Sequence, residues 1–242
     1  MISCQGLRAV GYTFFILGFL SCVSCGENGD PDLVAHYSFD GSTADVSGLN
    51  KDLLVYGARP VPDRFGKAEH AYGFDGRSAY MMAGITGIPG LTGPHSVTWW
   101  FQVSGAPVFK DSLDAGNMIV LADTTKSIGV QIGYRAEGYK THGFDVWYWG
   151  GATVLDSPHP AVSEWHQGAY TYDGERQLLF IDGLQVAEAG VKPQRGTPSV
   201  LMLGNYPGGD QFFSGVLDEL RIYKRSMLPS EITAMYMREK AQ

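Results

Sequence analysis

Cysteine is scarce. The 242-residue chain has three, Cys4, Cys22 and Cys25, and none follows position 25. That excludes a disulfide-stapled scaffold for the body of the chain. Clustered positive charge is lacking as well. Eighteen Lys and Arg stand against twenty-five Asp and Glu, a net charge of −7, with no local concentration of basic residues. A nucleic-acid surface needs a basic footprint, so nucleic acid is excluded as a partner. No internal repeat and no second domain can be traced, and helical periodicity is confined to the last dozen residues.

Long apolar runs are rare, and the one present is informative. Residues 9–23 are almost wholly apolar, with Arg8 the one basic residue just before them. The run is short for a membrane span and has the length of a signal-peptide core. It closes on Leu20-Ser21-Cys22-Val23-Ser24-Cys25. A small residue before cysteine at the end of such a run resembles a bacterial lipobox. The reading is residues 1–24 as a lipoprotein signal peptide, Cys25 as the lipidated residue, and 25–32 as a polar tether. Cys22, with Ser21 before it, is the other candidate for lipidation. A cleaved, fully secreted chain is the plain alternative. The expected location is outside the cytoplasm, as an outer-membrane or cell-surface lipoprotein, with secreted or periplasmic as alternatives.

Glycine is plentiful at 32 residues and aromatics make up 12% of the chain, which together suggest glycine turns between aromatic strands. Alternation marks strands at Leu33–Phe39, Leu53–Tyr56, Ala71–Phe74, Ala79–Met82 and Ser96–Val103. Others follow at Met118–Ala122, Ile128–Tyr134, Phe144–Trp149, Trp165–Tyr172, Leu178–Ile181, Leu201–Asn205 and Val216–Tyr223. Asp173-Gly174 and Asp182-Gly183 bracket a hairpin-like pair. Pro229-Ser230-Glu231 begins a short helix, with Ser230 as the expected N-cap. The fold class expected is all-β with a short C-terminal helix.

Five segments in order carry a family resemblance: LVAHYSFDGSTADVSG, DRFGKAEHAYGFDGRSAY, SVTWWFQV, EWHQGAYTYDGERQLLFIDG with LMLGN, and FSGVLDELRIYKRSMLPSEI. Over roughly Leu33–Tyr236 the chain resembles the laminin G-like, concanavalin A-like lectin/glucanase superfamily, in its bacterial secreted branch. The resemblance implies a jelly-roll sandwich of two antiparallel sheets over 33–242, one of them concave. It does not fix function, because that fold serves lectins, glucanases, lyases and adhesion modules.

Retaining glucanases of this fold resemble one another in a Glu-x-Asp-x-x-Glu strand that sets two carboxylates on one cleft. This chain has no such run. Asp218 and Glu219 are adjacent, so strand alternation places them on opposite faces. The Gln-x-His signature of the fold's lyases is also missing, since Gln131 is followed by Ile132 and Gly133. Glu164 with His166, and Asp145 alone, are the remaining catalytic candidates, and the expectation is a protein that is not an enzyme.

Carbohydrate sites pair aromatic platforms with carboxylate, amide or guanidinium groups. Asp145, Trp147 and Trp149 share one alternation class, opposite the apolar set Phe144, Val146 and Tyr148. Gln131 and Arg135 share a class on the preceding strand, and Trp100 lies with Thr98 and Gln102. These six (Trp100, Gln131, Arg135, Asp145, Trp147 and Trp149) are the candidate glycan-binding residues; the competing reading is that the tryptophans pack under loops or the C-terminal helix. The resemblance further implies a structural calcium, with Asp218 and Asp40 as the matching acids. The competing reading there is an ion pair from Asp218 or Glu219 to Arg221 or Arg225. The functional expectation is a non-catalytic, lectin-like domain that binds a polysaccharide or glycan at the cell envelope. A lipoprotein scaffold for protein partners is the alternative.

Overall fold

The computed structural model describes residues 30–50, 52–88, 92–104, 115–125, 128–135, 143–149, 154–157, 161–190 and 196–241. Cys25 and the whole leader lie outside the described residues, as does Cys22. The strands, in chain order, are β1 (Leu33–Tyr37), β2 (Leu54–Tyr56), β3 (Arg59–Val61), β4 (Ala71–Asp75), β5 (Tyr80–Gly84) and β6 (His95–Val103). Next come β7 (Ala115–Asp123), β8 (Ile128–Arg135), β9 (Gly143–Tyr148), β10 (Val154–Asp156) and β11 (Trp165–Tyr172). The last are β12 (Arg176–Ile181), β13 (Leu184–Gly190), β14 (Val200–Leu203), β15 (Ser214–Tyr223) and helix α1 (Pro229–Glu239).

They form two antiparallel sheets. One has eight strands in the order β13-β12-β11-β6-β15-β4-β3, with β1 paired to β15 off that path. The other has seven, in the order β10-β9-β8-β7-β14-β5-β2. Consecutive strands pair within β11–β13 and β7–β10, whereas β6 with β15, β15 with β4, β7 with β14 and β14 with β5 join distant parts of the chain, as in a jelly roll. Alternation supplies the two inner faces. Val97, Trp99, Phe101 and Val103 of β6 meet Phe144, Val146 and Tyr148 of β9 in one core cluster. Phe101 and Phe144 pack with ring centroids 4.7 Å apart, and Trp99 stacks on Phe144 at 5.9 Å. These contacts tie the sheets together.

Three local features depart from the sequence expectation. First, β3, β10 and β13 were not anticipated. Their runs are short, or, as in LQVAEAG, mix alanine with polar residues and alternate weakly. Second, Leu228 rather than Ser230 is the N-cap of α1. Proline at Pro229 starts the helix two residues earlier, and the Leu228 N–H donates to the Glu231 carboxylate at 2.7 Å. Third, β15 carries a bulge between Asp218 and Arg221, with Glu219 at φ +51°. Two residues then oppose one on β6 and alternation resets.

The Asp182-Gly183 turn, with φ of +51° and +74°, joins β12 to β13 in the conformation of a two-residue type I′ hairpin. The sandwich therefore has two outer faces, and they are finished differently.

Candidate functional site

The centre of the outer face of the eight-stranded sheet is covered by α1. Ile232 and Met235 of α1, with Met227 just before it, pack on Leu33, Ala169, Phe180 and Tyr223. Trp100 lies in this layer, 4% exposed. Its indole N–H donates to Glu239 Oε2 at 2.6 Å, and its ring stacks on Tyr236 at 6.0 Å. The expectation that Trp100 joins the other candidate residues is corrected here. Alternation assigns it to the outer face properly, but α1 covers that face, and the other five candidates are on the other sheet.

A polar cluster fills the space beside Trp100. Glu239 Oε2 also accepts from Gln167 Nε2 at 3.0 Å, and Glu239 Oε1 faces Arg221 Nη1 at 3.1 Å. Arg221 Nη2 pairs with Glu219 Oε2 at 2.8 Å, and His36 Nε2 lies 2.9 Å from that same oxygen. Asp218 is held by a different cation, Arg64, at 2.7 Å. The Arg64 guanidinium also lies over the Trp100 ring at 4.6 Å. The bulge turns Glu219 into the network that contains the outer-face Arg221, so Asp218 and Glu219 are not on opposite faces as strict alternation predicts. Burial and the neighbouring Glu219 push the Asp218 carboxyl up to about 8 against the pull of Arg64. Glu219 is held below its ordinary value by His36 and Arg221, which outweigh its burial.

The acids expected to hold calcium do not fit that ion. Calcium takes several hard oxygens with no cation among them. Asp218 is bonded to a guanidinium, and Asp40, an exposed residue, is paired with His70. Among the described residues no group of three or more His, Cys, Asp or Glu is placed to hold a metal ion. Of the acid–histidine candidates, His166 is bonded through Nδ1 to Asp182 at 2.7 Å, beside the β12–β13 turn. That hydrogen bond raises its pKa. Glu164 shows no hydrogen bond to it among the described contacts; it adds only a weak charge effect.

On the outer face of the seven-stranded sheet the structure brings together Gln131, Arg135, Asp145, Trp147 and Trp149. Register pairs Gln131 with Trp147 across β8 and β9, and Gly133 with Asp145. Arg135 Nε bonds Asp145 Oδ2, and the guanidinium lies over Trp147 with its carbon 5.5 Å from the ring centroid. Trp149 Nε1 donates to Gln131 Oε1 at 2.7 Å. The backbone N–H of Trp149 donates to Gly129 O at 2.9 Å. A Cβ at Gly129 would press on the Trp149 ring, so glycine lets the indole lie flat on β8.

The roles within this group differ from those expected. Gln131, Arg135 and Asp145 are buried, at 7%, 3% and 1% exposure, while Trp147 and Trp149 are half-buried. The polar three therefore position the indoles, and the indoles form the surface. The same face holds aromatics that sequence alone did not mark. Tyr206 meets Trp149 edge-on at 6.2 Å, and Tyr56 stacks on Tyr80 at 4.5 Å with the planes 11° apart. A Cβ at Gly209 would collide with the Tyr206 ring, so a glycine there lets that ring fold back over its own loop. The signal for Tyr56 and Tyr80 is register, which a sequence does not display.

Comparison with known proteins agrees with the architecture. Domain 4 of AbnA, a GH43 extracellular arabinanase from Geobacillus stearothermophilus solved with arabinotriose, superimposes with a TM-score of 0.63 at 20% identity. The match covers 85% of this chain and 98% of that one. The binding domain of Paraclostridial Mosquitocidal Protein 1 gives 0.65 at 15% identity, covering 86% of this chain and 52% of that one. A structure of botulinum neurotoxin type C, whose cell entry depends on two ganglioside molecules, gives 0.66 at 9% identity, covering 86% and 51%. The chain thus spans about half the length of these toxin structures. At such identities the likeness is one of fold. No curated protein matches. The Laminin_G_3 model, described as concanavalin A-like lectin/glucanases superfamily, matches residues 75–233. With two packed antiparallel sheets and most of the chain inside that match, this protein belongs to the Laminin_G_3 family of the concanavalin A-like lectin/glucanases superfamily.

Proposed function

We propose that this protein is a non-catalytic carbohydrate-binding domain that takes a glycan on the outer face of its seven-stranded sheet. The observation that carries the reading is the asymmetry of the two outer faces. One is covered at its centre by α1, whereas the other presents the half-buried indoles of Trp147 and Trp149 over a buried polar layer. Sugars offer apolar C–H faces that stack on aromatic rings, and a platform whose rings are held from below is pre-organised for them. Two relatives in fold support the reading: the arabinanase domain solved with arabinotriose, and the toxin that depends on gangliosides.

The non-catalytic part of the proposal is supported by how the acids on this face are used. Asp145 is bonded to Arg135 and buried, so it is not poised to give or take a substrate proton. We place the domain at the cell envelope, tethered through an acylated Cys25. The test of the binding reading is retention of the chain on a panel of insoluble polysaccharides, including arabinan, together with a glycan array. The proposal requires at least one saturable, competable ligand, and absence of any would overturn it. The tether is tested by fatty-acid labelling. Cys25→Ala should abolish labelling and block processing; unchanged labelling would move the site to Cys22 or remove the anchor.

A further inference from the structure

We propose that the binding face runs on from the tryptophans across the seven-stranded sheet to a second aromatic platform, Tyr56 and Tyr80, and that its ligand is a linear neutral oligosaccharide lying across the strands. This rests on the glycan reading above and specifies its ligand. The backbone register carries the argument. Trp147 pairs with Gln131, Gln131 with Val120, Val120 with Met202, Met202 with Met82, and Met82 with Leu54. Cross-strand partners share a face, so these residues form one unbroken row perpendicular to the strands. Tyr56 pairs with Tyr80 beside the far end of that row.

Packing agrees with the register. Val120, Ala122 and Met202 form one buried cluster, and Tyr80, Met82, Trp149 and Tyr206 pack against it, half-buried. The surface over this buried row is formed by the half-buried Trp149, Tyr206, Met82 and Tyr80, with aromatic rings towards both ends. Tyr56 and Leu54 at the far edge are 42% and 60% exposed. From β9 to β2 are five strand spacings, about 24 Å. A glycan unit of roughly one spacing, ~5 Å, would place four or five sugars along the strip.

Charge selects the class of glycan. Within the strands of this face, the charged side chains described are Arg135 and Asp145, and they neutralise each other in a buried ion pair. Among the described residues the strip offers no compensating charge for a sulfated or uronate chain, and its aromatic rings suit the C–H faces of neutral sugars. Continuity with the tryptophan platform assigns both ends to one ligand, because Trp149 belongs to the platform and to the apolar cluster alike.

The test uses the whole chain and a ladder of neutral oligosaccharides, from disaccharide to hexasaccharide, cut from whichever panel polysaccharide it retains (arabinan, xylan, mannan or β-glucan). Affinity should rise by at least about tenfold between the ends of the ladder. Tyr56→Ala should cancel that gain and leave the disaccharide untouched, whereas Trp149→Ala should weaken every member. Tyr56 is exposed, so this variant keeps its fold; Tyr80→Ala is compared only after its melting temperature is checked. A flat ladder, or a hexasaccharide affinity unmoved by Tyr56→Ala, overturns the extended strip and leaves the tryptophan site standing. If Tyr56→Ala alters sedimentation from dimer to monomer without changing sugar affinity, the far platform is a self-association surface and the proposal fails. If no oligosaccharide binds at all, both readings fail together.

Discussion

Asp218 carries a proton balance unlike that of a surface acid. Its carboxyl is pushed up to about 8 by burial and by Glu219, from an ordinary value of 3.8. Between those values the folded state holds a proton that the unfolded chain has released. The contribution to stability is therefore full below about 4 and is lost as pH rises through about 8. Asp218→Asn keeps the shape of the neutral acid and still accepts from Arg64. We expect it to flatten the fall in melting temperature between mildly acidic and mildly alkaline pH; an unchanged slope would place the effect elsewhere. His166 acts in the same direction. Its pKa is raised chiefly by the hydrogen bond that its Nδ1–H donates to Asp182, so that pair's contribution is full below the unfolded imidazole value of ~6.5 and is lost as pH rises through the higher folded value. Asp182→Asn should lower the melting temperature more at pH 5.5 than at pH 8.5. Equal loss at both would show that the turn, and not the proton, carries the effect. The acids first expected to hold calcium predict a further outcome. With Asp218 on Arg64 and Asp40 on His70, a chelator should leave the melting temperature unchanged; a drop would show a calcium site elsewhere in the chain.

The helix illustrates how a short element becomes indispensable. At eleven residues α1 would be marginal alone, and its stability comes from the face it buries. Its last residue, Glu239, is an acid at the C-terminal end, where the helix dipole opposes negative charge. The placement makes sense only through tertiary contacts, because Glu239 satisfies Trp100, Gln167 and Arg221 at once. Glu239→Ala would leave a buried guanidinium and an indole N–H without that partner, at a cost of about 3–5 kcal/mol. Glycan binding on the far sheet should be retained once the variant is measured below its lowered melting temperature. Lost binding in a folded variant would mean that the two sheets are coupled. The same element explains why Trp100 was misplaced by sequence reasoning. Alternation distinguishes the two sides of a strand, yet it cannot tell which side another element will cover. The bulge at Glu219 is a related case, since a positive φ at a glutamate leaves no trace in residue order. Strand positions were legible where β-branched and aromatic residues alternate, as in β6, β8 and β9, and not in β13, where alanines and polar residues blur the period.

At the scale of the whole molecule, the inner faces were readable from sequence and the outer faces only in part. Phe144, Val146 and Tyr148 were separable from Asp145, Trp147 and Trp149 because a period of two is visible in one strand. That Gln131 and Arg135 join the second set could be inferred from neighbouring strands. Tyr56, Tyr80 and Tyr206 could not be linked to them, because β2 and β5 reach this face through a strand order that follows no sequence neighbourhood. Asymmetric finishing of the sandwich, one outer face covered at its centre by α1 and the other left aromatic, is the feature on which the functional account depends. Buried polar residues on the aromatic face, Gln131, Arg135 and Asp145, then act as supports, so their loss should cost stability as well as binding.

The most direct test separates binding from folding at the two indoles. Trp147→Ala and Trp149→Ala are each measured for melting temperature and for affinity to the polysaccharide that the parent chain retains. The account predicts a loss of about tenfold in affinity for each, roughly 1.4 kcal/mol, with melting temperatures close to the parent's. Affinity unchanged in both variants would contradict it. So would an early collapse of both, at the ~3–5 kcal/mol typical of a core tryptophan, because the indoles would then be part of the packing.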